Sequence, residues 1–377
     1  MTFCFFTAQY LPTPGGVERY TWNLARRCVV AGHRALIVTS ALPGQPAREQ
    51  DADGLEIYRL PAFPVMGGRF PVLRPLPPAA DLWAQSIDFA VIQTRMYTQS
   101  VWAAQQCKRR GIPALVIDHS TGYMMHGGLD GVLGRWYEHL ACGLIRRCGF
   151  PFYGVSADVC RWLRTFGITA AGTLPNAVDP EELTALAEAE PRTDWRTTLQ
   201  VPPQGHLIAF VGRLIPEKGA LPLAQAVAQL PGCVLAIAGT GPQEAALRDL
   251  GGPVRVLGPL PHPQIVQLLR QADCYCLPTE YAEGFPTTLL EAAACGCPIV
   301  CTHTAGTGEL LPGTEYAAYL DDIQPDTLAA TLRTVLDHPE EARARARRAE
   351  ENLRAHFTWQ AVFATMMKTA QDARQER

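Results

Sequence analysis

The chain has 377 residues, of which 47% are hydrophobic and 18% charged, and its net charge is −3. This composition excludes a disordered chain or a fibrous repeat, and the length exceeds the ~250–300 residues at which one core stops growing, so two domains are expected. No apolar run reaches the ~18–20 residues of a transmembrane helix.

Twelve cysteines sit inside apolar stretches (Cys4, Cys28, Cys233, Cys274, Cys276 and Cys301 among them), and Cys274-Tyr-Cys276 and Cys295-Gly-Cys297 lack C-x2-C spacing. That reads as small hydrophobes in a reduced, cytoplasmic compartment, with neither a disulfide framework nor a metal site. The charge is uneven. Residues 1–180 carry 17 Lys/Arg against 12 Asp/Glu, and residues 181–377 carry 16 against 24. The first half is therefore +5 and suited to something anionic, which keeps peripheral membrane contact open. Nucleic acid is a poor fit, because no basic stripe is interleaved with aromatics.

Met1–Thr7 lacks a basic leader and reads as a first strand. Short apolar runs then alternate with helical patterns, which predicts an α/β chain of parallel, doubly wound sheets. In the first half, strands are expected at Phe3–Thr7, Ala35–Thr39, Phe89–Gln93, Ala114–Asp118 and Phe152–Val155, with helices at Val17–Ala31 and Thr98–Arg110. Gly15-Gly16-Val17-Glu18 joins the first strand to the first helix, where glycine lets backbone N–H groups approach phosphate oxygens. The spacing is not G-x-G-x-x-G, so a dinucleotide site has no support. Asp51 and Asp53 spell D-x-D in a polar connection and read as a surface pair. Pro61–Pro78 reads as a loop. His119 closes the fourth strand, where an imidazole is either a structural hydrogen-bond partner or a site residue; His126 is the second candidate. Gly131–Arg147 places Leu133, Trp136, Tyr137, Leu140 and Leu144 near one helical face with Arg135, Arg146 and Arg147. The preferred reading is a helix packed on its own sheet, and an interfacial helix is the alternative.

Leu174–Pro180 marks the boundary, giving domains over residues 1–175 and 176–357, with a final helix 358–377. Second-domain strands are expected at Leu207–Val211, Val234–Ala238, Val254–Leu257, Cys274–Leu277 and Pro298–Cys301. After the first of these, Gly212-Arg213-Leu214-Ile215-Pro216-Glu217-Lys218-Gly219 sets two cations where they can grip a diphosphate. Gly239-Thr240-Gly241-Pro242 follows the second strand, and Thr304–Glu309 follows the fifth. Tyr281–Gly296 sets Glu283 and Glu291, with seven residues between them, around the start of a helix whose free N–H groups favour an anion. Carboxylates beside free N–H groups suit a ligand carrying hydroxyls and phosphates.

The string Glu283-Gly284-Phe285-Pro286-Thr287, then Leu290-Glu291-Ala292 and Cys295-Gly-Cys-Pro-Ile-Val300, resembles the E-x7-E signature of the retaining, GT-B glycosyltransferases of family 4. The likeness runs over nearly the whole chain. It implies two Rossmann-like domains facing across a cleft, with the last helix crossing back. It also implies that Glu283 meets sugar hydroxyls and Glu291 the ribose, that Arg213 and Lys218 hold the donor diphosphate, and that Gly15 and Gly16 approach it. Gly239, Gly241, Gly284, Phe285, Pro286, Thr287 and Glu309 would line the donor pocket, and His119 would stand by the donor sugar. Retention would proceed through an oxocarbenium-like ion pair, with the leaving diphosphate helping to deprotonate the acceptor. The donor would be a UDP or GDP sugar, no metal would be required, and the acceptor would be a saccharide or lipid-linked glycan in cell-surface polysaccharide or glycolipid assembly. His119-Ser120 departs from the His-Asp or His-Gly usual there, and Ser156 and Asn176 match structural elements of the family. A glycoside hydrolase, whose two carboxyls stand ~5–9.5 Å apart, is disfavoured because eight positions along a helix span ~12 Å; the rivals kept are a nucleotide-sugar 2-epimerase and a catalytically silent subunit.

Overall fold

The computed structural model describes the chain except Pro14, Gly67, Arg69, residues 76–78, 126–127, 282–283, Ala305 and 376–377, and the side chain of Leu129. The expectations placed on His126 and Glu283 thus lie outside the described residues. The chain divides into two compact units, Met1–Pro175 with Val362–Arg377, and Asn176–Ala361.

The first unit contains β1 (Thr2–Phe6), β2 (Arg34–Ser40), β3 (Arg48–Gln50), β4 (Glu56–Leu60), β5 (Ala62–Val65), β6 (Phe70–Leu73), β7 (Phe89–Gln93), β8 (Ala114–Asp118), β9 (Phe152–Gly154) and β10 (Gly172–Thr173). Its main sheet runs β10-β9-β8-β7-β1-β2-β4-β3. All pairs are parallel except β3 with β4. Every residue of β1, β7 and β8 is buried, the pattern of strands covered by helices on both faces. The Pro61–Pro78 expectation is corrected here, because β5 and β6 form an antiparallel hairpin with Pro64 opposite Pro71. A two-stranded ribbon leaves each strand an open edge, so a residue without an N–H can be accommodated.

The second unit contains β11 (His206–Val211), β12 (Cys233–Ala238), β13 (Val254–Gly258), β14 (Cys274–Leu277), β15 (Ile299–Thr302) and β16 (Ala318–Leu320). The order is β13-β12-β11-β14-β15-β16, all parallel. Both sheets reverse winding direction once, between β1 and β7 and between β11 and β14. In such sheets the ligand crevice lies outside the carboxyl ends of the strands at that reversal. Pro286 stands as the N-cap of helix Thr287–Ala294. The last helix, Trp359–Gln375, joins the first unit from Val362 onward, and Thr369 shares a 3.0 Å hydrogen bond with Tyr153 there. The cysteines are all free thiols and mostly buried, as core hydrophobes would be.

Candidate functional site

The carboxyl edge of the second sheet is built by loops that approach closely. Gly219 has φ +72°, and a Cβ there would overlap the Pro278 carbonyl oxygen, so the loop after β11 can press against the loop after β14 only with glycine at this position. Hydrogen bonds complete the seam. Thr279 Oγ1 and the Glu280 N–H both donate to the Glu217 carbonyl, at 3.2 and 2.8 Å. The Tyr281 N–H donates to Thr279 Oγ1 at 3.1 Å. Gly239 and Gly241 play the same part on the other side. A side chain on either would run into the carbonyl oxygens of Gly212 or Leu214.

This seam brings Arg213 and Lys218 to one aromatic ring. The Arg213 guanidinium carbon lies 4.8 Å and Lys218 Nζ 5.4 Å from the centre of the Tyr281 ring. Burial first, and the nearby Arg213 second, push the Lys218 ammonium down to about 8. Two like charges, one of them partly desolvated, are an arrangement that gains from a dianionic ligand. No role is read for Tyr281 from sequence, although it opens the stretch Tyr281–Gly296.

Glu291 lies on the second turn of helix Thr287–Ala294, and its Oε1 is 2.8 Å from Nε2 of His262, the first residue of helix His262–Gln271. Pro286 offers that helix no side-chain cap. Thr287 is exposed and Gly284 partly so. The Phe285 ring, by contrast, is buried beside Phe357 with centroids 5.4 Å apart, and its carbonyl accepts from Asn176 Nδ2 at 2.9 Å. Phe285 and Pro286 therefore anchor the loop from beneath. Glu309 is on the short helix Thr307–Leu310, whose carbonyls at Glu309 and Leu310 accept from Asn352 Nδ2.

In the first unit, Gly15 caps helix Gly16–Val30 with its backbone extended, and the buried Glu18 carboxylate folds back over it. One turn on, the Tyr20 ring meets His119 edge-on at 4.8 Å, so the helix start and the end of β8 are in contact. His119 Nε2 is 2.7 Å from Gln93 Oε1. Donation to that amide oxygen leaves Nδ1 as the acceptor. Burial pushes the His119 pKa down to about 3, so the ring is neutral at pH 7.

Beside it lies a buried ion cluster that the sequence did not disclose. Arg95, without exposed surface, donates to Asp118 Oδ2 at 2.5 Å, Glu138 Oε2 at 2.9 Å and Ser120 Oγ at 2.8 Å. Thr94, at φ +63°, turns the chain at the end of β7 so that Arg95 points inward. Asp51 and Asp53 are structural. Asp51 Oδ1 accepts from the N–H groups of Asp53 and Leu55, and Asp53 pairs with Trp22 and Arg26. Among the described residues no group of three or more His, Cys, Asp or Glu is placed to hold a metal ion.

The family model for Glycosyltransferase Family 4 matches residues 14–182, and that for Glycosyl transferases group 1 matches residues 191–352. The chain belongs to glycosyltransferase family 4. A glycogen synthase of Mycobacterium tuberculosis is 35% identical to this family 4 chain over 192 residues, covering 48% of the chain and 46% of that protein, so the chain matches about half of that relative. The phosphatidylinositol N-acetylglucosaminyltransferase GPI3 subunit of Saccharomyces cerevisiae is 24% identical over 355 residues, 86% of the chain and 73% of that protein. A sucrose-phosphate synthase from Thermosynechococcus elongatus superposes over all of both chains with a TM-score of 0.77 at 19% identity. Anabaena HepE in complex with UDP-glucose superposes over 99% of the chain and 100% of its own with a TM-score of 0.73 at 18% identity. These likenesses give the family 4 chain the GT-B fold, two Rossmann-like α/β domains.

Proposed function

We propose that this chain is a retaining glycosyltransferase that moves a sugar from a nucleoside diphosphate to an acceptor hydroxyl. The observation that carries the reading is the convergence of Arg213 and Lys218 on Tyr281 at the winding reversal of the second sheet. A leaving diphosphate develops negative charge as the glycosidic bond breaks, and two preset cations stabilise it without reorganising and without calling on a metal. Glu291, oriented by His262, takes the ribose hydroxyls, and Glu283 the sugar hydroxyls. Gly239, Gly241, Gly284, Thr287 and Glu309 shape the donor pocket, and Gly15 and Gly16 present backbone N–H groups. Neutral His119 cannot serve as a proton donor to the leaving group near pH 7; its Nδ1 accepts from a sugar hydroxyl and orients it. The leaving diphosphate takes the acceptor proton within a short-lived ion pair.

The relative solved with UDP-glucose makes UDP the first donor base to try, with GDP second. The yeast relative, named for a phosphatidylinositol substrate, supports a lipid-linked acceptor beside a saccharide one, in surface polysaccharide or glycolipid assembly. The free thiols suit the cytoplasm. Titrating the chain with UDP, GDP, ADP and dTDP by calorimetry, alongside Arg213→Ala and Lys218→Ala, tests the donor site. One diphosphate bound tightly, and weakened by both substitutions, is expected; no binding by any of the four would sink the reading. Proton NMR of the product then reads the anomeric outcome, and conversion of the nucleotide sugar to its epimer without any acceptor would favour an epimerase instead.

A further inference from the structure

Nine large hydrophobic side chains stand exposed among the described residues, and seven of them fall on two neighbouring elements of the first unit. Val132, Leu133, Trp136 and Leu140 lie on the outer face of helix Gly128–Arg146, the first three each at least 60% exposed. Phe63, Val65 and Met66 lie on the β5–β6 hairpin. The two elements touch, because the Phe70 ring of the hairpin meets Tyr137 of the helix edge-on at 5.9 Å. The helix does not need its outer stripe to hold its place. Its inward face is made of Gly131, Gly134, Glu138, Ala141, Cys142 and Ile145, all buried. The expectation that the Leu133–Trp136–Leu140 stripe packs on the sheet is therefore corrected. Gly134 lets this face sit against the unit, with Met125 filling the space where a Cβ would stand, and the large residues turn outward.

The charges around this stripe are mostly positive. Arg135, Arg146 and Arg147 are exposed on the helix and just past its end, and Lys108, Arg109 and Arg110 are exposed at the end of helix Thr98–Arg110. Lys108 Nζ donates to the Arg147 carbonyl at 2.5 Å, joining the two basic ends. Helix Thr98–Arg110 holds no acid, and on the other helix Asp130 is exposed while Glu138 is buried against Arg95. Across the hairpin, Arg74 lies over the Phe63 ring at 4.9 Å. Exposed apolar side chains rimmed mainly by cations match the acyl boundary and headgroups of an anionic bilayer. A second copy of the chain meeting this one through the same face would set the same cations against them. No described helix is long and apolar enough to cross a membrane, so the contact is a surface one.

We propose that the first unit docks on anionic lipid through the outer face of helix Gly128–Arg146 and the β5–β6 hairpin. The test is sedimentation of the full chain with vesicles of phosphatidylcholine alone and of a two-to-one mixture of phosphatidylcholine and phosphatidylglycerol, at low and high salt. The chain should pellet with the mixed vesicles and be released by salt. Leu133→Ser with Trp136→Ser should lower the partition coefficient at least tenfold, as should Arg146→Glu with Arg147→Glu. Leu250→Ser, an exposed leucine of the second unit, should leave it unchanged. A chain that stays in the supernatant with mixed vesicles, or both double variants binding like the parent, overturns the proposal. So does a concentration-dependent dimer in sedimentation equilibrium that Leu133→Ser with Trp136→Ser disperses, which would assign the face to a second copy.

Discussion

At the level of single residues, Lys218 ties affinity to pH. Its ammonium is held near 8 by burial and by Arg213, and a bound diphosphate favours the protonated form. Affinity for the diphosphate should therefore be level below pH 8 and fall above it, by up to about tenfold per pH unit. Calorimetry at pH 7 and pH 9 reads this, and Lys218→Arg should flatten the dependence. His119 acts on stability in the opposite range. Its folded pKa lies below the ordinary 6.5, so the folded state binds fewer protons than the unfolded one between about 3 and 6.5. The stability is complete above 6.5 and lost as pH falls toward 3. His119→Gln should lessen this acid sensitivity in melting temperatures measured from pH 4 to 7. Arg95 shows a third kind of effect. Arg95→Met strands Asp118 and Glu138 in the interior and should cost about 3–5 kcal/mol in denaturant unfolding.

Among the elements, the seam between the loops after β11 and β14 controls the candidate site. Gly219→Ala forces a Cβ into the Pro278 carbonyl at φ +72° and should cost roughly 1–3 kcal/mol of stability. It should also weaken diphosphate binding by shifting Lys218, which calorimetry on the folded variant would read; unchanged affinity would mean that the seam does not set the cation positions. The buried parallel strands could be read from sequence, since β1, β7, β8, β12 and β14 each contain an unbroken apolar run of four or more residues. Strands β3, β10 and β16 have two or three residues, too few for any periodicity to register. The hairpin was hidden by its prolines. Tyr281 was in view, but its contact with both cations depends on hydrogen bonds to Glu217, sixty and more positions earlier in the chain.

For the whole molecule, the division at Pro175 and Asn176 leaves Arg213, Lys218, Tyr281, His262 and Glu291 all in one compact unit. A fragment of residues 176–361 should therefore fold and bind the diphosphate with an affinity within about tenfold of the full chain's. A folded fragment that fails to bind would show that the first unit supplies essential contacts.

The sequence by itself determined the doubly wound class, the strands whose both faces are buried, and the placement of glycines and charges at strand ends, because each is a local pattern of a few adjacent residues. It could not determine partners distant along the chain. Arg95 finds its carboxylates 23 and 43 positions away, and Glu291 finds His262 29 positions away. Nor could it determine which face of helix Gly128–Arg146 turns inward. A helical period locates a stripe, but whether that stripe or the small-residue face opposite lies against the sheet depends on the room available there, and only the packed structure sets that room.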